Sequence, residues 1–382
     1  MKNFKPDPNT TIHESMLTTF KSAIVKGSLK PGERLPIRTE LETQFGVSRM
    51  TVQKVLDRLT RDGFIRSRGH LGTFITEHPP CFHRYGIVFQ NSPEESSWGG
   101  YHAAMLRVAE EFNHAPAREL ACYFGVDREG NGEYEALLDD IASERLAGLL
   151  FTSGPWHLTR SPVVTQQHIP AMAVMSPIIS PSLEHISTLK IDRTSLMEGA
   201  IATLARKGCR RPAVLIGEGY DNALKRLQTA LKKQGLPYDP ARLQGVSLNY
   251  CELAEHVTQL WMQLPPDLRP DGLFVADDNL AEWACTGLRK AGVDVNTHLP
   301  VMVASNFPDL AVAGLAVERI GFDFRSLITQ FINSTDARRS DEAFNANISL
   351  PAVLEQDISP VPIDGELMAV EMLELQADLR RS

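Results

Sequence analysis

Cysteine is scarce and scattered in this chain of 382 residues. Cys81, Cys122, Cys209, Cys251 and Cys285 lie far apart, are odd in number and form no CxxC pair. A disulfide framework is therefore not expected, and a reducing, cytoplasmic setting is. His78, Cys81 and His83 match no common zinc spacing, so no metal is expected. No run of about 18 apolar residues occurs, and no membrane span is predicted. Met1-Lys2-Asn3-Phe4-Lys5 and the residues after it lack the apolar stretch of a secretory signal, so none is expected. The GxxxxGK(S/T), GxSxG and HExxH patterns are missing. Gly217-Glu218-Gly219 lacks the third glycine of a dinucleotide loop, since position 222 is Asn222, and it reads as a cleft loop. Asp139-Asp140 and Asp277-Asp278 are sequence neighbours, which rarely face each other for acid–base work. These absences predict a protein that is not an enzyme and takes no cofactor.

The hydrophobic share is 43%, enough for sizeable cores. The net charge of −8 excludes a uniformly basic surface, but it is unevenly spread. Residues 1–78 hold 13 basic and 8 acidic residues, net +5, against 26 and 39 in the remainder, net −13. A basic front on an acidic body fits one end that meets an anion.

That front reads as a helix-turn-helix with a wing. Thr11 and Glu14 have capping-box spacing, and Ile12, Met16, Phe20 and Ile24 recur every four residues. The pattern predicts a helix over 11–26 with one buried stripe. Pro31-Gly32 makes a turn, and a short helix fits 39–45. Gly46 is suited to a left-handed turn and Ser48 to an N-cap for a third helix over 48–61. Val52, Val55, Leu56 and Leu59 would be buried, leaving Arg49, Met50, Gln53 and Lys54 outward. Two short strands, 64–66 and 73–75, flank Ser67-Arg68-Gly69-His70-Leu71-Gly72, a hairpin wing tipped by Arg68 and His70.

This segment resembles the DNA-binding domain of the GntR family of bacterial transcription regulators. The resemblance rests on Pro31-Gly32-Glu33-Arg34-Leu35-Pro36, on Phe45-Gly46-Val47-Ser48-Arg49 with Thr51-Val52, and on Gly72-Thr73-Phe74. It implies that Ser48, Arg49 and Thr51 contact phosphates and base edges, and that Arg68, Gly69 and His70 meet the minor groove. Arg38 and Gln53 depart from the family's commoner Glu and basic residue. Arg38 would add a phosphate contact, and Gln53 could read adenine through its amide.

Pro79-Pro80 predicts an extended linker over 77–84 between a head, 1–76, and a body, 85–382. In the body, apolar runs at 85–89, 120–124, 148–151, 171–175, 213–216, 272–276 and 301–304 alternate with helical stretches. Alternation predicts parallel sheets wound on both faces, and about 300 residues is too long for one such sheet, so two lobes are expected. Ligands of doubly wound lobes collect at strand carboxyl ends.

The body in turn resembles the periplasmic-binding-protein-like effector domain of LacI/GalR regulators. The matching pieces include Arg145-Leu146-Ala147-Gly148-Leu149-Leu150-Phe151, Lys207-Gly208-Cys209-Arg210-Arg211-Pro212, Pro270-Asp271-Gly272 through Asp277-Asp278, and a closing segment, Leu350-Pro351 through Ser359. The resemblance implies that Arg226, Asp277, Asp278 and Asn306 contact a sugar-like effector. Trp98, Trp156, Trp283 and Phe307 fall at or near strand ends, where an aromatic face could cover a sugar ring; the alternative for each tryptophan is core or lobe packing, and for Asp277 or Asp278 an N-cap.

Together these readings predict a multidomain chain: a winged helix-turn-helix (α+β) followed by a two-lobed doubly wound α/β body. The predicted function is a homodimeric repressor of carbohydrate-utilisation genes on a palindromic double-stranded DNA operator, governed by a sugar or sugar derivative. The alternative is a solute receptor whose winged helix makes protein contacts.

Overall fold

The computed structural model describes residues 4, 6, 10–95, 98–113, 118–127, 130–175, 181–217, 222–295, 297–308, 317–340 and 347–358. The head comprises helices α1 (Ile12–Val25), α2 (Arg38–Phe45) and α3 (Arg49–Arg61) and a hairpin of β1 (Ile65–Ser67) and β2 (Thr73–Ile75). Thr11 and Glu14 form the capping box. Met16, Phe20 and Ile24 bury against Val52, Val55, Leu56 and Leu59, each such side chain contributing about 1.5–3 kcal/mol. Ile12, expected on the buried stripe, is 51% exposed because the first turn of α1 projects past this core. Gly46 takes φ +65° between α2 and α3, a left-handed conformation that suits glycine. Residues 32–35 run beside β2, with the Leu35 amide donating to the Thr73 carbonyl at 2.8 Å and the Ile75 amide to the Glu33 carbonyl at 2.8 Å.

The linker is not extended. Pro80 opens the helical turn α4 (Pro80–His83), where a proline without an amide hydrogen costs nothing. Cys81 is buried in the head's core and Phe82 packs against it. Arg84 then begins the body with no intervening residue.

The body contains β3 (Arg84–Val88), α5 (Gly100–Asn113), β4 (Glu119–Tyr123), α6 (Gly132–Ala142), β5 (Gly148–Phe151), α7 (Pro162–Thr165), β6 (Ala171–Val174) and β7 (Ser187–Asp192). Then follow α8 (Arg193–Arg206), β8 (Pro212–Ile216), α9 (Ala223–Lys233), β9 (Leu243–Gly245), α10 (Leu253–Gln263), β10 (Gly272–Val275), α11 (Ala281–Lys290), β11 (Val301–Phe307), β12 (Glu318–Asp323), α12 (Phe324–Ser340), β13 (Asn347–Pro351) and β14 (Val353–Leu354). Two six-stranded sheets result, ordered β4-β3-β5-β6-β7-β13 in lobe 1 and β9-β8-β10-β11-β12-β14 in lobe 2. Among the described residues, all pairings within these two sheets are parallel except β12 with β14.

The chain crosses between lobes after β7, after β12 and after β13. The first and third crossings are tied: the Ala352 amide donates to Ser195 Oγ at 2.8 Å, and Ser195 Oγ donates to the Asp192 carbonyl. One apolar cluster runs through both lobes, carrying Phe324, Leu327 and Phe331 of α12 together with Met302 and Ala304 of β11.

Candidate DNA interface and effector cleft

Ser48 caps α3: the Thr51 amide donates to Ser48 Oγ at 3.2 Å, and the two hydroxyls lie 3.0 Å apart. The cap leaves the helix N-terminus, with its partial positive charge, facing outward. Arg49 and Lys54 are exposed, and Met50 is 70% exposed. Arg38 is exposed at the start of α2. Gln53 donates Nε2 to Asp57 Oδ1 at 2.6 Å, so its amide is held on its own helix and would have to swing free to meet a base. In the wing, Gly69 takes φ +58° with open space around its Cα, and His70 is exposed beside it. Arg68 is folded back instead, paired with Glu77 at 3.1 Å and lying over the Phe74 ring. Arg34 packs against Gly72, where a Cβ would come within 2.7 Å of its Nε.

The carboxyl ends of β8, β10 and β11 gather Asp277, Asp278 and Asn306. Asp277 caps the turn before α11, accepting the Asn279 amide at 3.1 Å and its Nδ2 at 2.9 Å. Burial pushes the Asp277 carboxyl up, and the two bonds from Asn279 pull it partly back. Asn306 Nδ2 donates to Asp278 Oδ2 at 2.9 Å. Gly217 lies against Asp277, whereas Glu218 and Gly219 of the cleft-loop reading, and Ser359 of the closing segment, lie outside the described residues.

Arg226, in the first turn of α9, donates Nε to Thr194 Oγ1 at 3.3 Å, at the first crossing. Trp98 stacks on His102 at 5.1 Å and meets Phe89 and Phe124, the residues that follow β3 and β4. Trp156 is 41% exposed on a turn after β5. Phe307 is buried at 3% beneath the Arg319 guanidinium and offers no open face. Trp283 is exposed on α11.

Several polar groups at these strand ends escaped the sequence reading. Ser153 Oγ donates to Gln90 Oε1 at 3.3 Å; each is the second residue after an apolar strand, which is the signal that could have found them. Tyr101 donates its hydroxyl to the Thr152 carbonyl at 2.7 Å. The Gly100 amide of lobe 1 faces Asn279 Oδ1 of lobe 2 at 3.4 Å. Residues 176–180 and 309–316, which follow β6 and β11, lie outside the described residues. A cavity of about 690 Å³ opens elsewhere, between head and lobe 1, and its guanidinium groups of Arg84, Arg118 and Arg145 are already paired with carboxylates.

The fold and these surfaces define a winged helix-turn-helix on a two-lobed, periplasmic-binding-protein-like body. Residues 18–75 match the family of bacterial regulatory proteins, gntR family, and the head is a GntR-family domain. The chain is 35% identical over 66 residues to the mannosyl-D-glycerate transport/metabolism system repressor MngR of Escherichia coli, a match covering 17% of this chain and 28% of that protein. The curated relatives are matched over 18 to 60% of their own length, less than two thirds in each case. Among solved structures, a LacI-family regulatory protein from Chloroflexus aggregans aligns with TM-score 0.55 and 17% identity, over 72% of this chain and 96% of that one. The transcriptional regulator CelR in complex with cellobiose aligns with TM-score 0.52 and 18% identity, over 84% and 98%. The body therefore shares the fold of these regulators.

Proposed function

We propose that the chain is a sequence-specific DNA-binding transcription regulator, a repressor of carbohydrate-utilisation genes controlled by a sugar-like molecule held between the lobes. The exposed N-terminal half of α3 carries this reading. A capped helix end, the cations Arg49 and Lys54 and a glycine-tipped wing suit a major groove with its flanking phosphates. The GntR-family match supports it, as do relatives that are repressors, one of them of a sugar-derivative transport and metabolism system.

The sugar half is supported by the short polar side chains Asp277, Asp278 and Asn306, by the Trp98 stack, and by a neighbour of the same fold solved with cellobiose. The effector would shift the equilibrium between open and closed lobes by its differential affinity for the two, and closure would change the spacing of two heads. A homodimer on a palindromic operator follows from that action. Its contact is proposed on the outer face of lobe 2, where Leu253 and Leu260 of α10, Tyr250 just before it and Trp283 of α11 are 41–63% exposed. The cytoplasm is its proposed location.

Duplex binding tests the reading. Binding to DNA from upstream of the protein's own gene should weaken steeply as salt rises, and Arg49→Ala should lose about 1–3 kcal/mol of specific binding. Binding that is absent or insensitive to salt would sink the DNA half in favour of a protein-contact module. A melting-temperature screen over neutral sugars, sugar phosphates and sugar acids tests the effector half. A panel in which none raises the melting temperature would sink it.

A further inference from the structure

A buried carboxylate ties the recognition helix to lobe 1. Asp62, the residue that ends α3, exposes none of its side chain. Three cations converge on it: Lys21 of α1 at 3.2 Å, Arg58 of α3 at 3.0 Å and Arg145 of lobe 1 at 3.4 Å. Both head cations also reach the body. Lys21 Nζ donates to the Ser143 carbonyl, and Arg58 donates to the Ser143 hydroxyl. Arg145 uses its other N–H groups on Asp139 and Asp140, and Asp140 also holds Arg84, the first residue of β3.

This arrangement differs from an ordinary surface ion pair. Lys21 is only 4% exposed and Arg145 only 19%. A carboxylate out of water must be met by well-aligned donors, and a planar guanidinium fixes direction as well as charge. Asp62 also sits on the element whose bearing matters. A head on a slack tether would sample many orientations, whereas α3 here is held at its C-terminal end by the loop between α6 and β5. Across a two-fold axis, one fixed bearing per protomer gives one separation and one phase of half-sites.

We infer that Asp62 and Arg145 are positioning residues that fix α3 on lobe 1 and so select the half-site separation this protein reads. The inference rests on the DNA-binding function proposed above, but the docking itself is measurable without DNA.

The variant of choice is Arg145→Ala in the full chain. It acts from the body side and leaves Lys21 and Arg58 to neutralise Asp62, so the head keeps its own pairs. Hydrogen exchange should rise at least about tenfold at the amides of 58–64 and 139–145, with the exchange of α1 unchanged. Unchanged exchange at both segments would overturn the docking. The second readout is a set of duplexes whose two half-sites, selected by the wild-type protein, are separated in single base-pair steps over one turn of about 10.5 base pairs. The wild type should prefer one separation by about tenfold or more, Arg145→Ala should flatten that preference to within about threefold, and Arg145→Lys should restore part of it. A spacing profile identical to wild type alongside loosened exchange would overturn the spacing role. Failure of both proteins to bind any duplex would sink the DNA-binding function and the spacing role with it, while the exchange result decides the docking separately.

Discussion

Gly100 and Asp278 meet across the two lobes so closely that a Cβ at residue 100 would lie 2.1 Å from Asp278 Oδ2. That oxygen cannot step aside freely, because Asn306 donates to it at 2.9 Å. Gly100→Val should therefore hold the lobes apart. Small-angle scattering is expected to give a larger radius of gyration than wild type, and an effector found in the sugar screen should no longer raise the melting temperature. Wild-type scattering with a full ligand-induced shift would show that the contact does not limit closure.

Ser48 satisfies the Thr51 amide at the start of α3. Removing such a cap costs about 1 kcal/mol, or about 4–8 °C in melting temperature for a domain of this size. Ser48→Ala should lower the head's thermal transition by that amount, followed by circular dichroism, and weaken duplex binding. A transition that does not move would mean that the cap carries no stability.

His102 gives lobe 1 a dependence on acid. Burial pushes its imidazole below the usual histidine value, with Glu95 opposing weakly, and its buried Nδ1 has no hydrogen-bond partner among the described residues. Trp98, Phe89 and Tyr101 are the rings packed around it. Below about pH 6.5 the unfolded chain takes up a proton that the folded site resists. Stability from this site is therefore intact above that value and is lost as pH falls through the depressed folded one. The wild-type melting temperature should drop between about pH 7 and pH 5 more than that of His102→Phe, which keeps the packing without the titration. Equal drops would assign the effect to other groups.

Leu260 is the most exposed apolar residue of α10, at 63%. If α10 and α11 form the dimer contact, Leu260→Asp places a charge in an apolar interface and should weaken association by at least about tenfold in sedimentation equilibrium. The variant protomer should melt like the wild-type protomer. A dimer of undiminished strength would move the contact elsewhere.

The head was legible almost residue by residue, because caps and turns are local chemistry. Thr11, Gly46 and Ser48 each sit where their side chain or φ is needed. Strands buried on both faces, such as β5 and β10, were legible as apolar runs. Strand β7 was not, since Lys190 and Asp192 interrupt it, and neither was β13, an edge strand with alternating exposure. The extended linker was a misreading of proline: Pro80 excludes the middle of a helix, not its first position. In the cleft, residue types could be named, but which ones meet depended on contacts between distant parts of the chain. Asp278 with Asn306 and Gly100 with Asn279 leave no mark in local sequence. Phe307 shows the converse, an aromatic near a strand end that the packing turns inward.

Lobe 1 is completed by β13, which pairs with β7 from Asn347 onward. All of lobe 2 except β14 is made between those two strands. During synthesis the first lobe must therefore wait, with one edge of its sheet unsatisfied, until the second has emerged. Pairings that close over such long stretches of chain are slow, and open strand edges invite association with other chains. The order in which the ribosome delivers the strands thus leaves the β7 edge of lobe 1 unpaired by β13 until residue 347 has been made.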